Sequence, residues 1–209
     1  MKRSLSQQVY DELLERILQN HWAPGELINR REIAAELGVS VAPTLEAMLK
    51  LETEGLLESI PRKGTRIRVI TEDDLRGQVI LRQALECQAA RLYCGERIVQ
   101  HEMELLKLAA LIDDTPANTR QCWEREVDFH RYLLELTECK TLVQKFKEVM
   151  QLNLFIAANR LSSLNFNYKY DHIVYRHTEL VKKLETKDPD VAERAIREHL
   201  FSGLLENYN

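Results

Sequence analysis

Apolar residues in the first fifty positions recur at helical spacing and are punctuated by turn residues. Val9, Leu13, Ile17 and Leu18 share one face of a helix capped by Ser6, and Ala23-Pro24-Gly25 turns the chain after it. Asn29, with Glu32 three residues on, is a near capping box for a short helix through Ile33, Ala34 and Leu37 that Gly38 ends. Ser40 and Pro43 open a third helix, running through Ala47, Met48 and Leu51 to a stop at Gly55. The pattern then shortens: Leu56–Ile60 and Thr65–Val69 read as two strands around Pro61-Arg62-Lys63-Gly64, a basic hairpin that also carries Arg66 and Arg68. Beyond Ile70 nothing alternates with strand period. Thr71 and Asp74 cap a helix bearing Leu75, Val79, Ile80, Leu81, Leu85, Ala89 and Leu92 to about Tyr93, and further helices are predicted over about 100–111, 120–137, 141–160, 171–185 and 190–206. The expected fold is mainly α: a winged helix-turn-helix over residues 1–70, then an antiparallel all-α helical bundle over residues 71–209.

Composition narrows what such a chain can be. With 209 residues, 44% hydrophobic and 30% charged, it is expected to fold as two ordinary globular domains. No apolar run approaches the roughly 20 residues of a membrane span, and the Met1-Lys2-Arg3 start lacks the apolar core of a secretion signal, so a cytoplasmic protein is expected. Cys87, Cys94, Cys122 and Cys139 show no Cys-x-x-Cys spacing and are expected to be reduced thiols. A net charge of −4 argues against indiscriminate nucleic-acid binding, and residues 1–70 carry as many acidic as basic side chains. Any DNA contact has to be local.

Such a contact is geometrically plain. A helix fits the major groove, its first turn faces base edges and phosphates, and a basic hairpin beside it neutralises backbone charge. The same unit also serves protein contacts in other settings, so pattern alone leaves both uses open. Gln8-Val9-Tyr10, Pro24-Gly25-Glu26-Leu27-Ile28, Glu32-Ile33-Ala34-Ala35-Glu36-Leu37-Gly38-Val39-Ser40, Pro43, Glu46-Ala47, Leu51-Glu52 and Glu54-Gly55-Leu56 resemble the N-terminal domain of the GntR family of bacterial regulators, without gaps from Leu5 to about Val69. That resemblance implies operator DNA as partner, with Arg30, Ser40, Val41, Ala42, Thr44, Leu45, Lys50, Arg62, Lys63, Gly64 and Arg66 as candidate contacts. It also exposes a departure: Val41 and Leu45 stand where the family commonly places arginines that touch DNA. Val41, Ala42 and Leu45 are suited instead to thymine methyl groups, with Ser40, Thr44 and Lys50 serving the backbone.

Three histidines lie on the apolar stripes of three different helices. His130 shares a face with Glu126 and Leu133, His177 with Leu180 and Leu184, and His199 with Ala192, Ala195 and Ile196. One inward histidine is ordinarily a hydrogen-bonded core residue. Three of them, with Glu126 one turn from His130, form a donor set suited to Zn²⁺ or another divalent transition metal. Leu81-Arg82, Leu85-Glu86, Phe129-His130, Leu133, His177, Leu180, Leu184, Asp188, Ala192, Ala195 and His199-Leu200 resemble the FCD effector domain of the FadR-type GntR subfamily. In that subfamily an Asp and three His hold a divalent metal whose coordination a small organic acid completes; here Glu126 replaces the Asp, and Arg176 stands before His177 where an acidic residue is common. The resemblance implies Glu126, His130, His177 and His199 as metal ligands, with zinc the first choice and nickel or manganese alternatives. Arg82 and Arg160 are candidate carboxylate partners for the effector, or members of ion pairs.

The combined reading is a homodimeric, ligand-responsive transcription repressor. Two rivals compete with it. A metal-dependent enzyme needs an unliganded acid or base that the sequence does not point to. An interaction module would use Val41 and Leu45 as an apolar docking face without binding DNA.

Overall fold

The computed structural model describes residues 3–116, 119–162 and 176–201, with the side chains of residues 160–162 and 201 left aside. These residues group into two compact units, one over Met1–Thr71 with Leu154–Leu164, the other over Glu72–Asn153 with Asn165–Asn209.

The first unit holds α1 (Leu5–Leu18), α2 (Arg30–Glu36), α3 (Val41–Thr53) and a small sheet. The cap of α1 is Ser4, not Ser6: its side chain accepts from the Gln7 N–H, satisfying a first-turn donor. Asn29 caps α2 by accepting from the Arg31 N–H, and its amide donates to Glu32, so the expected reciprocal box is replaced by a side-chain pair. Gly38 ends α2 at φ 64°, a conformation that Cβ-bearing residues rarely adopt. Ser40 occupies the N-cap of α3, and Pro43 falls in its first turn, where no intrahelical N–H is lost. Val9, Leu13 and Ile17 of α1 and Ala47, Met48 and Leu51 of α3 are buried, and these two helices pack on each other. Tyr10 Oη donates to Glu54 at 2.7 Å, fixing the end of α3 against α1.

The wing is an antiparallel hairpin of β2 (Leu57–Ile60) and β3 (Gly64–Ile67), with Leu57 opposite Ile67 and Ile60 opposite Gly64. A two-residue strand, β1 (Leu27–Ile28), pairs antiparallel with β3, giving the order β1-β3-β2. Its brevity hides it from any alternation test.

The second unit is helical among its described residues. It contains α4 (Glu72–Tyr93), α5 (Glu96–Gln100), α6 (Glu102–Asp113), α7 (Arg120–Glu135), most of α8 (Lys140–Ser162), α9 (His177–Leu184) and α10 (Pro189–Phe201). Gly95, at φ 79°, separates α4 from the short α5, an extra element, and its N–H reaches the Leu184 carbonyl at the end of α9. Tyr93, Phe129, Leu134, Phe146, Leu180, Leu184 and Ile196 form the core, and α10 packs on both α4 and α9 through it.

The helix expected from Asp171 is not continuous. Residues 171–175 lie outside the described part, while Arg176 is extended (φ −60°, ψ 152°) and α9 starts at His177. The last residues of the helix expected to 206 also lie outside it.

Candidate functional site

Five helices of the second unit bring six polar side chains into its interior. Glu126 and His130 stand one turn apart on α7, His177 is the first residue of α9, and His199 lies in the last turn of α10. All three imidazoles are buried, and Glu126 is 16% exposed. One donor atom from each of the four lies within 4.8 Å of every other. Glu86 of α4 and Asp113 at the end of α6 stand behind them.

The histidine rings have two distinct sides. His130 turns Nδ1 to Glu86 at 2.5 Å and Nε2 to Glu126 at 3.4 Å. His177 turns Nδ1 to Asp113 at 3.1 Å and Nε2 to Glu126 at 2.9 Å. The rings of His177 and His199 have centroids 4.7 Å apart, those of His130 and His199 5.3 Å apart. Phe129 sits edge-on to both His130 and His177, at 5.3 and 5.2 Å, and closes one side with an apolar wall.

Asp113 works on two things at once. Its Oδ1 accepts from the His177 backbone N–H (3.0 Å) as well as facing the ring, and its Oδ2 accepts from the Thr178 N–H (3.2 Å) and Oγ1 (2.9 Å). A carboxylate at a helix N-terminus satisfies orphan donors and complements the helix dipole. The cap of α9 therefore comes from α6 through space, which is why α9 starts where it does.

Glu86 is almost wholly buried and is held by Arg82, whose Nε donates to its Oε1 at 2.7 Å. Arg82 thus forms an ion pair within α4. Burial raises the Glu86 pKa, but the Arg82 and His130 charges outweigh it and bring it down to about 2. Burial likewise opposes ionisation of Asp113, and its hydrogen bonds from His177 and Thr178 win, lowering it to about 2. Burial works against the charged form of His177, yet Glu126 and Asp113 pull its pKa up to about 9. His130 is shifted up in the same way by Glu86 and Glu126. His199 goes the other way, to about 3, through burial first and then the neighbouring His177 and His130 charges.

This donor set fits a divalent metal. Two ligands bound to one ion at about 2.1 Å lie roughly 3–4.2 Å apart, close to the separations seen here. His130 Nε2 and His177 Nε2 both face the Glu126 carboxylate, at 3.4 and 2.9 Å. Glu86 and Asp113 on the far ring nitrogens give the carboxylate–histidine pairing that orients metal-binding imidazoles. Three imidazole nitrogens and one carboxylate oxygen suit zinc or nickel better than the oxygen-preferring manganese. Neither Glu86 nor Asp113 was singled out from sequence as part of this shell.

The candidate DNA contacts named from the sequence lie in the first unit, apart from those donors. Arg30, Arg31, Arg62 and Lys63 are exposed and engage in no ion pair among the described residues. Other basic residues are committed: Arg66 Nε to Glu58 at 2.6 Å, Arg68 Nη1 to the Gly55 carbonyl at 3.3 Å, and Arg16 to Glu12 and Glu36 at 2.7 and 2.9 Å. The hairpin therefore offers two uncommitted charges where its sequence suggested four. Lys50 lies 3.7 Å over the Tyr10 ring and its Nζ donates to Gln7, so it serves the α1–α3 packing. Thr44 is corrected as a backbone contact: it is fully buried on the inner face of α3, with Oγ1 turned to the Ser40 carbonyl. Ser40, Val41, Ala42, Leu45 and Gly64 remain exposed or partly so. Arg160 lies among the side chains outside the described part.

The comparisons with known proteins agree with this picture. The model of the bacterial regulatory proteins of the gntR family matches residues 5–67, and that of the FCD domain matches residues 79–202. The HTH-type transcriptional repressor RspR of Escherichia coli (strain K12) is 25% identical over 202 residues, covering 94% of this chain and 86% of that protein. The HTH-type transcriptional repressor NanR of Citrobacter rodentium (strain ICC168) is 26% identical, covering 96% and 84%. Among solved structures, a GntR transcriptional regulator from Rhodococcus sp. RHA1 superposes with a TM-score of 0.72 at 21% identity, covering 95% of each chain. McbR/YncC of E. coli superposes with a TM-score of 0.68 at 20% identity, covering 96% and 95%, and both establish the fold. A winged helix-turn-helix matched end to end by the one model, and a helical unit matched by the other, make this chain a transcription regulator of the GntR family with a C-terminal FCD domain.

Proposed function

We propose that this regulator is a cytoplasmic homodimeric repressor that lets go of its operator when a small organic acid binds in the helical domain. In this reading residues 1–70 read DNA, and residues 71–209 sense the effector and dimerise. Glu126, His130, His177 and His199 hold a divalent metal, zinc by preference. The carrying observation is the convergence of those four donor atoms within 4.8 Å, with Glu86 and Asp113 fixing two of the rings from behind.

When bound, such an ion supplies a positive centre with room for a carboxylate or hydroxyl oxygen. The chain's own residues do the rest. Glu86 and Asp113 hold the His130 and His177 rings, Phe129 shields them, and Arg82 keeps Glu86 ionised. Arg82, paired through Nε with Glu86, and Arg160, a candidate from sequence alone, are the guanidinium groups proposed for an acid effector. An exposed apolar stripe on α4, including Ile80 at 52% and Leu81 at 46% exposure, supports a two-fold contact between copies. Arg30, Ser40, Val41, Ala42, Leu45, Arg62, Lys63 and Gly64 would face the operator, with two copies of α3 about one DNA turn apart. The effector acts by binding the DNA-free form more tightly, as linkage requires of any inducer. The site is a sensor and not an enzyme in this reading: among the described residues Glu86 and Asp113, the carboxylates behind the donors, are already committed to orienting rings.

Elemental analysis of protein purified without chelators, beside a His177→Ala variant, tests it. Near-stoichiometric metal in the parent and its loss in the variant is the expected result. Metal in neither returns the histidines to the core.

A further inference from the structure

The outer face of α3 is apolar. Val41, Leu45 and Leu49 are 39%, 37% and 52% exposed, and Ala42 is exposed beside them. At 100° per residue these four fall within one arc of about 100°, separate from the adjoining arc of the buried Thr44, Ala47, Met48 and Leu51. Glu46 borders the arc, and the basic groups nearest in sequence on that helix are absent from it, Lys50 being turned onto Tyr10. An apolar helix face is ordinarily buried, yet this one is left open on an element bracketed by uncommitted cations: Arg30 and Arg31 at the start of α2, Arg62 and Lys63 at the turn of the wing. Charge of that sign on both neighbouring elements fits a polyanion and gives an apolar protein ligand no partner.

In the major groove only one base offers apolar surface, thymine, through its C5-methyl group. We propose that this regulator identifies its operator by thymine methyl groups packed against Val41, Ala42, Leu45 and Leu49, with the four cations supplying sequence-independent hold on the phosphates. The preferred half-site is then rich in A·T pairs under the first two turns of α3, with no guanine that depends on a bidentate arginine. Glu46, which borders the arc, can accept from an amino group at the edge of the site, cytosine N4 or adenine N6. This deepens the DNA-binding reading and rests on it.

The test uses the full-length protein. Duplexes enriched by it from a random pool are compared with the same duplexes in which deoxyuridine replaces thymidine, a change that removes only the methyl groups. Burying one such carbon contributes about 0.8 kcal/mol, so affinity is expected to fall about four-fold per contacted methyl. A Leu45→Ala variant, checked for an unchanged melting temperature, is expected to shrink the thymidine–uridine difference, because the two changes remove the same contact. Enriched sites whose affinity is indifferent to uridine overturn the methyl proposal while leaving DNA binding in place. Failure to enrich or retain any duplex at low salt overturns the DNA-binding reading beneath it and points to an apolar protein partner.

Discussion

The two units invert the ordinary rule of burial in opposite directions. The helical unit carries charged and polar side chains inside, Glu86, Glu126, His130, His177 and His199 among them, and the winged unit carries Val41, Leu45 and Leu49 outside. Buried charge costs several kcal/mol unless paired, and exposed apolar area forfeits about 25 cal/mol per Å². In the proposed reading each marks a place where another molecule would complete what the chain leaves unfinished: a cation inside, a partner with methyl groups and phosphates outside.

The comparison breaks first under pH. At neutral pH Glu86, Glu126 and Asp113 favour protons on His130 and His177, and a metal must displace them. Metal affinity is expected to rise by about one to two powers of ten per pH unit between pH 6 and 7, with protons released to the buffer, as calorimetry in buffers of different ionisation enthalpy detects. The metal-free protein should move the opposite way. His177 has a folded pKa of about 9, above its unfolded value, so its ion pairs stabilise fully below about 6.5 and are lost as pH rises through about 9. Metal-loaded and metal-free melting curves that respond alike to pH would place the cation elsewhere.

Next in size is Asp113→Ala. Removing a carboxylate that orients a metal-binding imidazole typically costs 10–100-fold in affinity, and chelator competition should show a loss in that range. Thr178→Ala removes a cap partner but leaves Asp113 on the His177 ring, so it should cost about 1 kcal/mol of stability with little change in metal affinity. Equal losses in the two variants would reduce Asp113 to a helix cap.

The smallest effect belongs to the outer surface. Arg62→Ala with Lys63→Ala should weaken binding to all sequences alike and lower the slope of log K against log salt by about 2. A loss confined to one sequence would make the wing a base reader.

The four donors were legible because helical periodicity places an inward side chain by its neighbours: His130 with Leu133, His177 with Leu180 and Leu184, His199 with Ala195 and Ile196. Asp113 was not, because its role depends on α6 meeting α9 through space. A local signal did exist. An acid in the last turn of a helix opposes the dipole there, and Asp113 does so because it serves the start of another helix. Glu86 left a similar trace, a carboxylate buried with Arg82 one turn before it. The two-residue β1 left none, and sequence made Thr44 and Lys50 backbone contacts because the pattern showed which helix they occupy but not what Ser40 and Tyr10 would claim from them.

The donors also have an order of appearance. Glu126 and His130 are synthesised together, His177 later, and His199 only with α10, which must then pack on α4 and α9 to reach them. A chain interrupted before α10 carries the whole surface of α3 and the wing but no four-donor set. In the proposed reading such a fragment would be a reader deaf to its signal, and release from the operator would depend on synthesis having reached α10.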